Sequence, residues 1–449
     1  MEFRTEMKMH SNSQFGIFRL EVEKTEITEA EQEINLMLDK SGSMDELCGD
    51  GSTKIHQIKH VTNNILRFVA KNCLKGNVSV SVKAFNVDVE TIIDKTVITN
   101  DLLDELIKKV DKIYPNEGTD IGLALEAMHS VGVNRHNIFM SDGDANIGET
   151  CPLVLSKCVD KNALNTFVGF GLEHNPEIFM ALSETENSAY YFVDKVEKSG
   201  NAYGEILHGI LYNCLSNVRI QIVGGTLYNW KTNEWTTEIF VGNLSGEMKK
   251  TFHIKSETRD QIQITISGFT KGLEPFSTTH LFEGQTEDLQ KMVYRQKTQE
   301  ILFTANRDIN DRSKIKKIKE ELKTFLSELK EYMKTSELEN DPLLKNLCDD
   351  IVVVYRTIGT RYGQMYSSSR QTSQGNERLY NVCDTPSKAP RKDMFRSRFA
   401  WTEEEEEEED DAIVDMHIIT DGLEDTPYYS GRVATLMRSV TNEEAADSP

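Results

Sequence analysis

The chain lacks the features that mark exported, membrane-spanning and nucleic-acid-binding proteins. Its first residues, MEFRTEMKMHSNSQ, contain no apolar stretch of the kind found in a secretory signal. The longest apolar runs, of which Ile351–Tyr355 is one, are far too short to cross a bilayer. Basic residues are outnumbered, with 51 Lys and Arg against 73 Asp and Glu. The resulting formal net charge of −22 disfavours contact with the phosphate backbones of nucleic acids. We expect a soluble, cytoplasmic protein with no membrane span and no nucleic acid among its partners.

The cysteines do not form the patterns of a disulfide framework or a zinc ribbon. There are seven of them, an odd number, at scattered positions and without a Cys-x-x-Cys pair. Cys151 and Cys158 lie seven residues apart, but no further Cys or His is near enough in sequence to complete a set of metal ligands. This pattern predicts reduced thiols, as in an intracellular protein.

The sequence also has none of the common catalytic signatures. It contains no Gly-x-Ser-x-Gly, no Gly-x-x-x-x-Gly-Lys and no His-Glu-x-x-His motif. Its 10 histidines are scattered along the sequence. We therefore expect a protein that is not an enzyme.

What the sequence does contain is a regular alternation of short apolar runs and amphipathic stretches, which predicts an α/β domain over residues 31–203. Val78–Phe85 and Val89–Val97 are close enough to form one tight antiparallel pair at a sheet edge. The fold class is α/β, with a doubly wound, mostly parallel sheet. The predicted strands are Ile34–Leu38, Val78–Phe85, Val89–Val97, His136–Met140, Asn165–Gly171 and Ala189–Val193, and the predicted helices are Ile55–Cys73, Leu102–Ile113, Asp120–Ser130, Pro152–Asp160, Pro176–Ser183 and Tyr203–Ser216.

Segments of different character flank this domain. Residues 204–285 carry the alternation and turn residues of an antiparallel, sandwich-like β unit, which the strand Phe15–Glu23 of the N-terminal segment 1–30 can complete. Residues 286–358 are expected to be helical, and residues 359–449 to be a flexible acidic tail. The predicted C-terminal helices are Leu289–Asn306, Ser313–Thr335 and Pro342–Arg356.

Three polar loops of the α/β segment carry the chemistry. Loop 1 is Asp39–Ser43 (DKSGS) after a predicted strand, loop 2 is Gly118–Asp120 (GTD) before a predicted helix, and loop 3 is Ser141–Asp144 (SDGD) after another strand. In an open α/β sheet, loops at the carboxyl ends of strands gather at one edge. Together they offer hydroxyls and carboxylates, which are hard oxygen donors suited to Mg²⁺.

These motifs resemble the metal-ion-dependent adhesion site of the von Willebrand factor A family, also called the integrin I-domain fold. The family's pattern is Asp-x-Ser-x-Ser, then a distant Thr, then a distant Asp, and the positions that match it are Asp39, Ser41, Ser43, Thr119 and Asp142. The resemblance covers about 170 of the 449 residues. It implies that Ser41 and Ser43 bind the cation directly, and that Thr119, Asp39 and Asp142 bind it directly or through water.

The resemblance further implies a coordination position left open for a Glu or Asp of a partner protein. Mg²⁺ is the expected cofactor, with Mn²⁺ and Ca²⁺ as alternatives. Three residues near the loops are candidates for contact with the ligand or for support of the site: Lys40, Asp144 and Asn146. A solvated side chain at Lys40 and simple turn formation at the other two are the competing interpretations.

The expected function is that of a divalent-cation-dependent module that captures an acidic residue of a partner protein. An alternative is a structural subunit of a large assembly, such as a coat, particle or shell, in which the metal site is an auxiliary clamp. The order of the parts resembles, in outline, that of vesicle-coat subunits. The run of nine acids at Glu403–Asp411 could meet a basic protein surface, or could dock on the cation of its own chain.

Overall fold

The computed structural model describes residues 3–377, apart from 12, 24–25, 27–29, 48–50, 74, 130–133, 144, 172–173, 194–195, 259–260, 271 and 361. The acidic run Glu403–Asp411 and Asp144 lie outside the described residues. The strands are β1 (Phe3–His10), β2 (Phe15–Val22), β3 (Gln32–Asp39), β4 (Val78–Phe85), β5 (Val89–Val97), β6 (Arg135–Ser141), β7 (Leu164–Phe170), β8 (Ser188–Val193), β9 (Asn213–Val223), β10 (Thr226–Asn229), β11 (Glu234–Thr236), β12 (Glu238–Ser245), β13 (Lys249–Lys255), β14 (Gln263–Thr270), β15 (Pro275–Leu281) and β16 (Thr286–Glu287). The helices are α1 (Lys54–Asn72), α2 (Asn100–Asp111), α3 (Ile121–Ala127), α4 (Pro152–Leu155), α5 (Pro176–Ser183), α6 (Val196–Leu211), α7 (Gln290–Asp308), α8 (Arg312–Thr335), α9 (Pro342–Thr357) and α10 (Gly363–Asn376).

The α/β part is built on a six-stranded sheet in the order β5-β4-β3-β6-β7-β8. Strands β4, β3, β6, β7 and β8 run parallel, and β5 pairs antiparallel with β4 at the edge of the sheet. The central strands β3 and β6 are buried in nearly every position because both faces of the sheet are covered. Apolar residues of α1, α2 and α6 pack on one face, and apolar residues of α3, α4 and α5 pack on the other.

Beside the α/β part, two further sheets face each other around a separate apolar core. One sheet has the order β11-β10-β13-β2-β1-β16, and the other has the order β12-β9-β14-β15. The core between them takes side chains from both, such as Met9 and Phe18 from one sheet and Ile220 and Ile264 from the other. Strands β1 and β2 precede the α/β part in the chain, yet they pair with β16 and β13, which follow it. The α/β part is therefore an insertion within the β sandwich.

The C-terminal helical segment has its own core, and its last helix corrects the prediction of a flexible tail from residue 359. Helices α7, α8 and α9 pack through an apolar cluster that includes Leu302, Leu326 and Ile351. Helix α10 then follows at Gly363–Asn376 and is largely buried, although Ser, Gln and Thr dominate its sequence. Several of its polar side chains have partners inside the protein: Arg370, for instance, pairs with two aspartates of α9. Composition alone does not reveal such partners, so the segment had the pattern of a tail.

A second correction concerns the predicted helix Tyr203–Ser216. Helix α6 ends at Leu211, and β9 begins at Asn213. Strand pairing explains why the helix ends earlier than predicted, because Leu215 of β9 pairs with Leu244 of β12 and with Thr270 of β14. Pairing on both sides favours the extended conformation for a segment whose apolar spacing also fits a helix. In the described part of the chain, no helix combines the length and the apolar character needed to cross a membrane.

Candidate metal centre

The three polar loops meet at the carboxyl edge of the six-stranded sheet and are tied to one another. Loop 1 follows β3 and loop 3 follows β6, and these two strands are parallel neighbours. The Gly42 amide of loop 1 donates to the Glu117 carbonyl next to loop 2, with an N to O distance of 2.9 Å. The Asn146 amide beyond loop 3 donates to the Thr119 carbonyl at 3.2 Å. Each loop is thus fixed by the backbone of another.

Loop 1 is held in shape by its own hydrogen bonds and by one apolar anchor. The Ser41 amide donates to Asp39 Oδ1 at 2.7 Å, and the hydroxyls of Ser41 and Ser43 lie 3.1 Å apart. Met44, in the short 3₁₀ turn Gly42–Asp45, is fully buried in the core of the α/β part. Asp39 and Ser41 are buried, while Ser43 is half-buried. The hydroxyls of Ser41 and Ser43 therefore lie side by side next to the buried carboxylate of Asp39.

Asp39 uses both carboxylate oxygens within the protein. Oδ1 accepts the Ser41 amide, and Oδ2 accepts the Ser141 hydroxyl of loop 3. Burial, and next the charge of Asp142, raise the pKa of Asp39 to about 7, while the hydrogen bonds from Ser141 and Ser41 act in the opposite direction. Two buried carboxylates that repel each other form a place where a cation is electrostatically favoured.

Asp142 differs from Asp39 because only one of its oxygens has a partner. Oδ2 accepts the Lys54 ammonium at 3.0 Å, whereas Oδ1 is buried and has no hydrogen-bond partner. The residue is 2 % exposed. An unpaired buried carboxylate oxygen costs at least as much free energy as a lost hydrogen bond. A bound cation or hydrogen-bond donor would remove this cost.

Thr119 is buried beside loop 3 and is positioned through its backbone. Its amide donates to Asn146 Oδ1 at 2.9 Å, and its carbonyl accepts the Asn146 and Ile147 amides. The adjacent Asp120 caps α3 by accepting the Leu123 amide. Within the described part of the chain, the Thr119 hydroxyl makes no hydrogen bond to Asp39, Ser41, Ser43 or Asp142, so an additional atom would be needed to link it to them.

The three support candidates have different positions. Lys40 is half-buried and its ammonium bonds to Glu90 Oε2 at 2.8 Å, so it is engaged by the neighbouring strand β5. Asn146 is exposed, and its side chain orients Thr119 as described above. Asp144 lies outside the described residues.

Sequence reasoning assigned no role to two contributors to this centre. Ser141 bridges the loops, because its hydroxyl donates to Asp39 and accepts the Gly143 amide at 2.8 Å. Lys54 opens α1 and pairs with both Asp142 and Glu46. Burial opposes the charge of Lys54, but the carboxylates of Asp142 and Glu46 outweigh it and raise the pKa of the ammonium. Ser141 could have been suspected from its place at the end of a strand, whereas a lysine at a helix start usually indicates a solvated side chain.

The residues present fit a small, hard cation. The donor set consists of the Ser41 and Ser43 hydroxyls, the free Oδ1 of Asp142, and Thr119 and Asp39 nearby, all oxygen ligands of the kind that Mg²⁺ prefers. Among the described residues, no group of three or more His, Cys, Asp or Glu side chains could hold a metal ion. A cation bound here would depend on hydroxyl oxygens beside two carboxylates, of which Asp39 already accepts a hydrogen bond at each oxygen.

Comparison with known proteins agrees with this architecture. The family model of the von Willebrand factor type A domain matches residues 34–143. The structure resembles a von Willebrand factor type A protein from Catenulispora acidiphila, with a TM-score of 0.50 and 12% identity, over 83% of this chain and 96% of that chain. It also resembles the ArnB paralog VWA2 from Sulfolobus acidocaldarius, with a TM-score of 0.49 and 12% identity, over 84% of this chain and 98% of that chain. No curated protein matches the sequence.

The matched residues 34–143 contain loops 1 and 2 and the first three residues of loop 3. Domains of this family generally serve as protein-interaction modules. The mixed sheet and the C-terminal helical segment are present as the sequence predicted.

Proposed function

We propose that this chain is a divalent-cation-dependent protein-binding module. Ser41, Ser43 and Asp142 Oδ1 would hold the cation directly, and Thr119 and Asp39 would complete the site directly or through water. Mg²⁺ is the favoured ion, and an acidic residue of a partner protein would take the position left open to solvent.

The observation that carries the proposal is the buried and unpaired Oδ1 of Asp142. It lies in a junction of three loops whose backbones are bonded to one another, so it is part of a rigid arrangement. Leaving such an atom without a partner costs about 1–3 kcal/mol, and more for a charged group. A cation would remove this cost and at the same time offset the repulsion between the two buried carboxylates.

The ligand set also explains why the partner should be acidic. Two of the three direct ligands would be neutral hydroxyls, and the Asp142 charge is shared with Lys54. A divalent cation would therefore keep a net positive charge, and an incoming carboxylate would be attracted strongly in a site that is partly shielded from water. This is binding chemistry, and we propose it for a non-catalytic protein of the cytoplasm.

The test uses the double variant Ser41→Ala/Ser43→Ala. The two hydroxyls bond to each other, and Asp39 keeps the Ser41 amide and the Ser141 hydroxyl as donors in the variant, so the fold should be preserved. Wild-type and variant chains are immobilised and exposed to native extract, once with Mg²⁺ and once with a chelator. Ser327→Ala, on the exposed face of α8, serves as the matched control.

We expect a partner that the wild type and the control retain only with Mg²⁺ and that the double variant never retains. Alanine or amide replacement of acidic residues in that partner should then identify a single carboxylate on which capture depends. Partners that bind equally to all three chains with the chelator present would contradict the proposal and direct attention to the β sandwich and the helices.

A further inference from the structure

Lys54 brings a permanent positive charge into the candidate metal centre. Its ammonium donates to Asp142 Oδ2 at 3.0 Å and to Glu46 Oε2 at 2.7 Å. The side chain of Lys54 is 6 % exposed, whereas that of Glu46 is 56 % exposed. The lysine thus lies between a buried carboxylate and a surface one.

A lysine is poorly suited to this position unless its charge has a purpose. Burial of an ammonium is expensive unless it is paired. Lys54 is also the first residue of α1, where the helix dipole disfavours a cation. The chain makes room for its stem with Gly171, where an added Cβ would come 3.2 Å from Lys54 Cε. The fold therefore accommodates a lysine where an apolar side chain would cost less.

The contact with Lys54 divides the two oxygens of Asp142 between two tasks. Oδ2 is taken by the ammonium, and Oδ1 is left buried and unpaired. Without Lys54, both oxygens would be available to a cation and the full negative charge of Asp142 would face it. With Lys54, only one oxygen and part of the charge are available.

Resting on the function proposed above, we propose that Lys54 is a positioning residue with two effects on this site. It holds the buried carboxylate of Asp142 in place when no cation is bound. It also weakens the affinity of the site for the cation, because it withholds one oxygen and adds a like charge, so that a bound cation keeps more of its own charge for the partner's carboxylate.

These two effects predict opposite consequences for a variant that lacks the ammonium. Lys54→Met preserves the length and the apolar stem of the side chain but removes its charge. Without a cation, Asp142 would become a buried charge that lacks its ion-pair partner, and the protein would be less stable. With a cation, Asp142 could offer both oxygens, and binding of Mg²⁺ would be tighter than in the wild type.

The experiment measures two quantities on the full chain: the midpoint of thermal unfolding in chelator, and the dissociation constant for Mg²⁺ by calorimetry. Titrations are run at about pH 8, where carboxylates of raised pKa are still largely ionised. Lys71→Met, an exposed position on the same helix, is the matched control, and Lys54→Arg tests whether a retained charge restores wild-type behaviour.

For Lys54→Met we expect a midpoint in chelator at least about 5 °C lower than that of the control. We also expect a dissociation constant for Mg²⁺ about tenfold smaller than that of the wild type. Lys54→Arg should lie near the wild type in both.

A lysine that only supports the fold would give Lys54→Met a lower midpoint and weaker or unchanged Mg²⁺ binding, which would overturn the inference. An unchanged midpoint would overturn it as well. If neither the wild type nor Lys54→Met binds Mg²⁺, the proposed function itself fails, and this inference fails with it. If the wild type binds Mg²⁺ and Lys54→Met binds it no more tightly than the wild type does, only this inference is refuted.

Discussion

Arg370 lies at the centre of a buried polar contact, and its replacement by methionine is expected to destabilise the protein strongly. The guanidinium is 2.6 Å from Asp349 Oδ2 and 3.0 Å from Asp350 Oδ1, and the side chains of Arg370 and Asp350 are each 1 % exposed. Removal of one partner of such a pair leaves an uncompensated buried charge, which costs about 3–5 kcal/mol. We therefore expect Arg370→Met to lower the free energy of unfolding by about this amount, measured by chemical denaturation.

The pH dependence of this loss provides a second check on the reasoning. Burial, more than the opposing effect of Arg370, raises the pKa of Asp350 to about 7. A carboxyl whose folded-state pKa is raised destabilises the fold fully above that pKa, and this effect diminishes as the pH falls from the folded-state pKa toward the unfolded-state pKa. The deficit of Arg370→Met should thus shrink as the pH falls toward about 7, because the pKa of Asp350 is still higher without Arg370 and a proton then replaces the missing guanidinium.

Two further variants complete the design. Addition of Asp350→Asn to Arg370→Met removes the stranded charge and should recover more than half of the lost stability. Lys109→Met breaks an exposed pair with Glu105 on α2 and should cost only about 0.3–0.5 kcal/mol. A loss from Arg370→Met no larger than that of the surface control would refute the argument that α10 is anchored by buried charge.

Two other predictions concern the site and the core of the α/β part. Gly143→Ala is expected to lose about 2–4 kcal/mol of stability, because φ is +69° and an added Cβ would come 2.4 Å from the Phe179 ring. Gly51→Ala has a φ of +84° but no atom near the added Cβ, so it should lose only the stability that the unfavourable backbone conformation costs. Chemical denaturation of both variants measures the difference. Burial lowers the pKa of His136 to about 3; since the unfolded chain binds a proton more readily below about pH 6.5, His136 should cost about 1.4 kcal/mol at about pH 5.5. His136→Gln should remove that part of the acid sensitivity, and an unchanged slope of stability against pH would contradict the assignment.

The sheet and the loops could be predicted from sequence because their signals are local. The apolar positions that indicate strands lie within short segments, and β4 and β5 have the bounds that the sequence indicated, Val78–Phe85 and Val89–Val97. Asp39 is the last residue of β3 and Asp142 directly follows β6, so the parallel pairing of these two strands brings both aspartates to one edge of the sheet. The metal ligation of these residues stays a prediction.

Contacts between distant residues could not be predicted in this way. Lys54 and Asp142 are 88 positions apart, and nothing in the local pattern of either shows that they pair. The polar composition of Gly363–Asn376 is typical of a tail, and the segment is a buried helix because Asp349 and Asp350 of α9 compensate Arg370. In both cases a buried positive charge is paired with a carboxylate that only the tertiary fold brings near it.

The central claim is that loops 1 and 3 together bind a divalent cation, and calorimetric titration with Mg²⁺ tests it most directly. Wild type and Ser41→Ala/Ser43→Ala are titrated under identical conditions, and unfolding in chelator is recorded for both to show that the fold is intact. The account predicts saturable binding of Mg²⁺ to the wild type, and loss of that binding in a double variant whose stability in chelator is unchanged. Equal binding by both chains, or no binding by a folded wild type, would contradict it.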